Sequence, residues 1–195
     1  MKRLSFILTV VLCLVFTDQA HAQRQLPGMR GLEIRGGMVD GFYSSAVNNE
    51  AGGYYFGAAL STYAKNGNKW MFGAEFMESY NPYREVRIPV SQFTADAGYY
   101  FNFLSTPSKI VSFSLGASAL AGYETVNWGE TVLYDGSTLL HKDSFVYGGA
   151  ITLEMEKYIS DRVVFLLSAR ERILWGTTTG HFHTQFGVGL KFIVN

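Results

Sequence analysis

Apolar and polar residues alternate with a period of two through much of the chain. Phe93, Ala95, Ala97, Tyr99, Phe101 and Phe103 fall on one face of a run, and Gln92, Thr94, Asp96, Gly98 and Asn102 on the other. Val111, Phe113, Leu115, Ala117, Ala119 and Ala121 oppose Ser112, Ser114, Gly116 and Ser118 in the next. Val163, Phe165, Leu167 and Ala169 oppose Ser168, Arg170 and Arg172. Near the end, Phe182, Phe186, Val188, Leu190 and Phe192 oppose His183, Gln185, Gly187, Gly189 and Lys191. Successive side chains of a strand point to opposite sides, so each run reads as a strand with one apolar and one polar face. Eight runs are predicted, over 31–40, 53–65, 68–79, 88–104, 110–126, 144–158, 162–175 and 180–194. Several exceed the five or six residues usual in soluble proteins and meet the 9–11 or so of a tilted membrane strand.

The connections alternate in length. Residues 41–52, 80–87 and 127–143 read as long loops, while Asn66-Gly67, 105–109 and Ser160-Asp161 read as short turns. Only 176–179 breaks the contrast, being short where a long loop is due. Short turns at one end and longer loops at the other are the habit of outer-membrane barrels. Asn-Gly and Ser-Asp pairs suit tight hairpins. The predicted fold is all-β, an eight-stranded antiparallel up-and-down transmembrane β-barrel.

Alternation does not say which face is outside, and a soluble lipocalin-like barrel has the same period with the apolar face inward. Three features favour the inverted barrel. The polar faces pool opposite charges, Glu33, Arg35, Glu75, Asp96, Glu154, Arg170, Arg172 and Lys191, which are expected to form an interior polar network. An eight-stranded interior is just wide enough for side chains to fill it. Charged residues make up only 16% of the chain, sparse for a water-exposed surface. The last strand reads Gln185-x-Gly187-x-x-Leu190-x-Phe192, similar to the C-terminal signal by which outer-membrane barrels are recognised for insertion.

The first 22 residues read as a cleaved signal peptide. Lys2 and Arg3 precede an apolar run from Leu4 to Phe16, and Ala20-His21-Ala22 is a small-x-small cleavage site, giving a mature start at Gln23. The run is too short for a membrane helix, which needs about 20 residues. The single cysteine, Cys13, lies in this segment after Leu12, which does not suit lipid attachment, so the barrel domain, 23–195, has no disulfide. Its 14 basic and 15 acidic residues leave a charge of −1, with no basic stripe for direct contact with nucleic acid.

Candidate chemistry is sparse. His181 and His183 share a face, but two ligands make no metal site, and no metal or cofactor is expected. One is expected inside and one at the rim. Small barrels that modify lipid place a Ser and a His near the outer leaflet. Ser168, Thr177, Thr178, Thr179 and His181 would have to serve that reading, and no nucleophile signature frames them. Arg170 and Arg172 should pair with Glu75, Asp96 and Glu154; an ion path is the competing reading. Glu171 between them reads as a loop-base ion pair. Trp128, Tyr134, Leu139 and Leu140, beside Asp135-Gly136 in the 127–143 loop, suit either a partner site or a flap over the mouth.

Several segments carry a family resemblance. They are Leu26-Pro27-Gly28-Met29-Arg30-Gly31, Arg35-Gly36-Gly37-Met38-Val39-Asp40-Gly41, Ser61-Thr62-Tyr63-Ala64-Lys65-Asn66-Gly67-Asn68-Lys69-Trp70, Leu120 to Glu130, Leu133 to Thr138, and Ala169 to Thr177. They resemble the TraO proteins of Bacteroidetes conjugative transposons across essentially the whole mature chain. The resemblance implies an envelope component of the mating apparatus, acting structurally without enzymatic activity. Its partners would be outer-membrane lipid and other conjugation proteins. A free-standing barrel for membrane stability or surface ligand binding is the main alternative, and a lipid-modifying barrel enzyme a minor one.

Overall fold

The computed structural model describes residues 24–40, 51–83, 86–130, 137–138, 143–177 and 180–194. These form a closed antiparallel barrel in which each strand pairs with its sequence neighbours and the last with the first. The strands are β1 (Arg30–Val39), β2 (Ala51–Tyr63), β3 (Lys69–Tyr83), β4 (Val86–Ser105), β5 (Val111–Val126), β6 (Ser144–Tyr158), β7 (Val163–Trp175) and β8 (Phe182–Val194). The segment 1–22, expected to be a signal peptide, lies outside the described residues.

Register sets the shape. Partners can be followed once round the wall, from Val39 through Gln185, Arg170, Thr152, Gly116, Tyr100, Lys69 and Tyr63. The path returns to β1 at Met29, whose carbonyl accepts from the Tyr63 amide, ten residues below the start. That stagger tilts the strands by about 40° to the barrel axis, so each residue climbs about 2.5 Å along it.

The faces are inverted relative to a soluble barrel. Ile34, Phe56, Leu60, Phe72, Phe101, Leu115, Ile151 and Val188 project outward and are exposed, while Glu33, Gln92, Glu154, Arg172 and Lys191 are fully enclosed. The outer wall carries two aromatic girdles. Tyr54, Phe93, Tyr123, Tyr147, Trp175 and Phe182 ring the end away from the termini, here the loop end. Trp70, Tyr99, Phe101 and Phe192 ring the turn end. Rings meet across strands, Trp70 with Tyr99 at 4.8 Å and Phe76 with Phe93 at 4.9 Å. An apolar band flanked by aromatic girdles is the surface a bilayer requires, and a closed barrel leaves no backbone edge in it.

At Asn66-Gly67 both residues take positive φ, 63° and 76°, and the Ala64 amide reaches the Asn68 carbonyl at 2.7 Å. Asn and Gly tolerate this conformation at least cost.

Residues 80–87 depart from the expected long loop. β3 continues to Tyr83 and β4 begins at Val86, paired to the tip with Pro82 opposite Arg87 and Pro89 opposite Tyr80. Pro82 falls in the stretch expected as a loop and Pro89 in the strand expected over 88–104. Among the described residues β2 stops pairing with β3 at Tyr80, and β5 stops pairing with β4 at Val90, so at the prolines no described strand pairs with the second edge. Proline is tolerated there because no ladder bond is lost.

Glycines inside the wall make room for large side chains. A Cβ on Gly116 would sit 2.6–2.7 Å from three ring atoms of the enclosed Tyr100. Gly116→Val should therefore cost about 1–3 kcal/mol by overpacking. This would appear as a lower temperature for loss of the compact gel band; an unchanged temperature would mean that the ring can move aside.

Candidate functional site

The barrel interior is filled by two layers of charged side chains. The layer nearer the turn end draws on five strands. Lys69 (β3) contacts Glu33 (β1) at 3.5 Å, Glu156 (β6) at 2.7 Å, and Glu154 (β6). Lys191 (β8) reaches Glu33 at 3.1 Å and also contacts Glu156. The Tyr63 hydroxyl (β2) donates to Glu156 at 2.7 Å and accepts from Lys191 at 3.0 Å. Arg35 lies 3.9 Å from Glu33. Each ammonium also sits over a ring, Lys69 on Tyr100 at 4.9 Å and Lys191 on Tyr63 at 4.8 Å.

The second layer lies toward the loop end. Arg170 binds Glu75 at 3.3 Å and Asp96 at 2.8 Å, and donates to Ser118 at 3.1 Å. Arg172 binds Glu75 at 2.9 Å and donates to Thr94 at 3.2 Å. Gln185 donates to Glu75 at 2.7 Å. The eight residues proposed from the sequence thus divide between two clusters. Glu154 is not among the partners of Arg170 or Arg172; it belongs with Lys69.

Three formal negative charges meet three positive in the first layer, and two meet two in the second. Water is largely shut out, so each charge depends on its partners for solvation. Lys69 and Glu156 were not singled out in the sequence. Both share strand phase with residues that were, Lys69 with Glu75 and Glu156 with Glu154, and that parity was the available signal.

The turn end is covered by the segment before β1. The Arg24 guanidinium lies 5.3 Å over the Tyr158 ring and 3.8 Å from Asp161, and donates to the Ser108 carbonyl at 3.4 Å. Gln25 donates to Ser112 at 2.7 Å, and the Gly28 amide binds the Tyr63 carbonyl at 2.8 Å. Among the described residues the clusters and this cover fill the interior.

The remaining candidates do not converge. His183 is buried and 2.8 Å from Asp40, while the exposed His181 donates to the Leu174 carbonyl at 2.8 Å. Among the described residues no three His, Cys, Asp or Glu side chains gather as a metal site. Ser168 is buried in β7, and Thr177 donates to Glu124 at 2.7 Å. Thr178 and Thr179 lie outside the described residues. Trp128 packs against the outer wall, 6.4 Å from Phe76 and 6.5 Å from Phe93, not across the mouth. Tyr134, Asp135, Gly136, Leu139 and Leu140 lie outside the described residues.

Glu171 corrects the sequence reading. Arg170 and Arg172 point inward to their carboxylates, and alternation turns Glu171 outward. Its contact is the Thr184 hydroxyl of β8, which donates to it at 2.6 Å.

The family model described as "Conjugative transposon protein TraO" matches residues 26–194. No curated protein sequence matches the chain. Among solved structures, Neisserial surface protein A is similar at 15% identity and a TM-score of 0.53, covering 86% of this chain and 97% of that one. Ail of Yersinia pestis (13% identity, TM-score 0.47, 87% and 100% covered) and OprG from Pseudomonas aeruginosa (12%, 0.48, 88% and 100%) are also similar. At these identities the likeness is one of fold.

Proposed function

Since the chain belongs to the conjugative transposon TraO family, whose model matches almost all of the barrel, we propose that it is an outer-membrane component of the mating apparatus. Its role is structural, assembling or anchoring the transfer machinery, and it carries out no catalysis. The family match is the observation that carries this reading. The apolar band between aromatic girdles supports placement in the outer membrane, reached through cleavage of the leader at 22–23. The short turns and both termini then face the periplasm, and the β3–β4 hairpin and the loop after β5 face outward. The filled interior supports a rigid anchor over a conduit. Partners are membrane lipid and other transfer proteins. DNA is not a direct partner, since the chain has no basic stripe.

Deleting the gene from a donor should depress conjugal transfer while leaving excision of the element unchanged. Excision is DNA chemistry in the cytoplasm, and an outer-membrane barrel can act only at export. Mating frequency and the excised junction, measured in the same donor, check this. Normal transfer from a clean deletion would favour a free-standing barrel instead.

A further inference from the structure

Between the two girdles, the described outward positions of all eight strands hold alanine, glycine, aliphatic and aromatic residues, with two exceptions. These are Glu171 and Thr184, neighbours across the β7–β8 pair and hydrogen-bonded to each other. Glu171 lies four residues below Trp175 and six above Phe165 on its strand. At a climb of about 2.5 Å per residue, and with the stagger of the wall taken into account, it sits about 4 Å beneath the height of Tyr54 and about 10 Å beneath that of Trp175, inside a hydrocarbon band about 25 Å tall. Its β6 neighbour, Ile151, is 60% exposed.

A carboxylate at that depth is poorly placed for the barrel alone. It can accept about four hydrogen bonds, and Thr184 supplies one. The two arginines beside it in sequence are turned inward and held by Glu75 and Asp96. A leucine would suit the alternation and the bilayer better. Ionisable groups inside a membrane face a partner or a polar path, because hydrocarbon offers them nothing. Lipid chains supply no cation. A second copy does not either, since the described outward residues between the girdles include no Lys or Arg, and a symmetric pair would set carboxylate against carboxylate.

We propose that the outer face of β7 and β8 at Glu171 and Thr184 is a contact site within the membrane for a spanning segment of a different protein, one that presents a lysine or arginine at the same depth. The proposal rests on the reading above in taking that protein to be another envelope component of the apparatus. The apolar surroundings, Ile151, Ile173 and Phe186, pack against the segment, and the charge pair fixes its depth and rotation.

The test is photocrosslinking in donor cells carrying the intact element, with a benzophenone amino acid at position 151 beside the site or at position 60 on β2. Position 151 should give one discrete protein adduct that position 60 does not. The adduct should fall about tenfold in a Glu171→Leu background, the loss expected when a polar partnership in a dry site is removed. Changing the adducted protein's basic residue to Glu should restore it in a Glu171→Lys background. Glu171→Leu should keep the compact unheated gel band. An adduct unaffected by Glu171→Leu, adducts with lipid or with the chain itself only, or loss of the compact band in Glu171→Leu would each overturn the proposal. A site-dependent adduct with a protein dispensable for transfer would leave the site standing and remove the mating role. A transfer defect on deletion with no adduct would do the reverse.

Discussion

Replacing Lys69 with methionine should destabilise the barrel by about 3–5 kcal/mol, the cost of removing one partner from a buried ion cluster. The ammonium is 1% exposed and touches Glu33, Glu154 and Glu156. Without it, three carboxylates share Lys191 and the more distant Arg35. The loss is not the worth of the lysine in isolation; most of it is the penalty on the groups left behind. A double substitution, Lys69→Met with Glu154→Gln, should therefore recover part of the loss, because it removes one stranded charge along with the cation. Urea titration of the refolded protein in vesicles, read by the mobility shift between folded and unfolded bands, measures both. A single variant within about 0.5 kcal/mol of the parent, the range of an ordinary surface change, would mean that water solvates this layer.

The second large effect lies on the other side of the wall. Ala117 projects outward near the middle of the apolar band, with Tyr99 and Ile151 as its cross-strand neighbours. Ala117→Arg should cost about 2–4 kcal/mol, since a guanidinium at the midplane must snorkel or draw water into the bilayer. Leu167→Arg, on the same face of β7, should behave alike. Ser114→Arg points inward, where the site is 3% exposed, so space rather than lipid limits it. Labelling with a lipid-soluble reagent should mark positions 115 and 117 and spare 114 and 116. The reverse pattern would place the polar face against lipid.

Much of this was legible in the sequence because one physical rule governs it. A strand between lipid and a filled interior must alternate, and a two-residue period shows in any short window. That Glu33, Glu75, Asp96 and Arg172 lie on the polar faces of their strands follows from parity alone. Which charges meet does not, since that depends on the stagger of the whole wall. Arg172 finds Glu75 because of a ten-residue offset accumulated over eight pairings, which no local window contains. The same reason hid the split between the two layers and the bond from Glu154 to Lys69. The tip of the β3–β4 hairpin, 80–87, reads as a loop in the sequence; it extends beyond the neighbouring described strands, where Pro82 costs no ladder bond. The cover formed by Arg24 and Gln25 left no periodic trace, being neither helix nor strand.

That cover has a bearing on the order of assembly. The seat of Arg24 is built from Ser108, Tyr158 and Asp161, so it does not exist until the chain as far as the β6–β7 turn is in place. β1 in turn closes on β8, pairing Arg30, the first residue of β1, with Val194, the last of β8. Neither contact can form early, because each spans most of the sequence and must wait for the loop it closes. The hairpins between β2 and β7 can zip locally while the first strand stays unpaired. The segment 24–29 is thus the latch of the structure. It is free while the strands are being laid down, and it is buried only when the ring is complete.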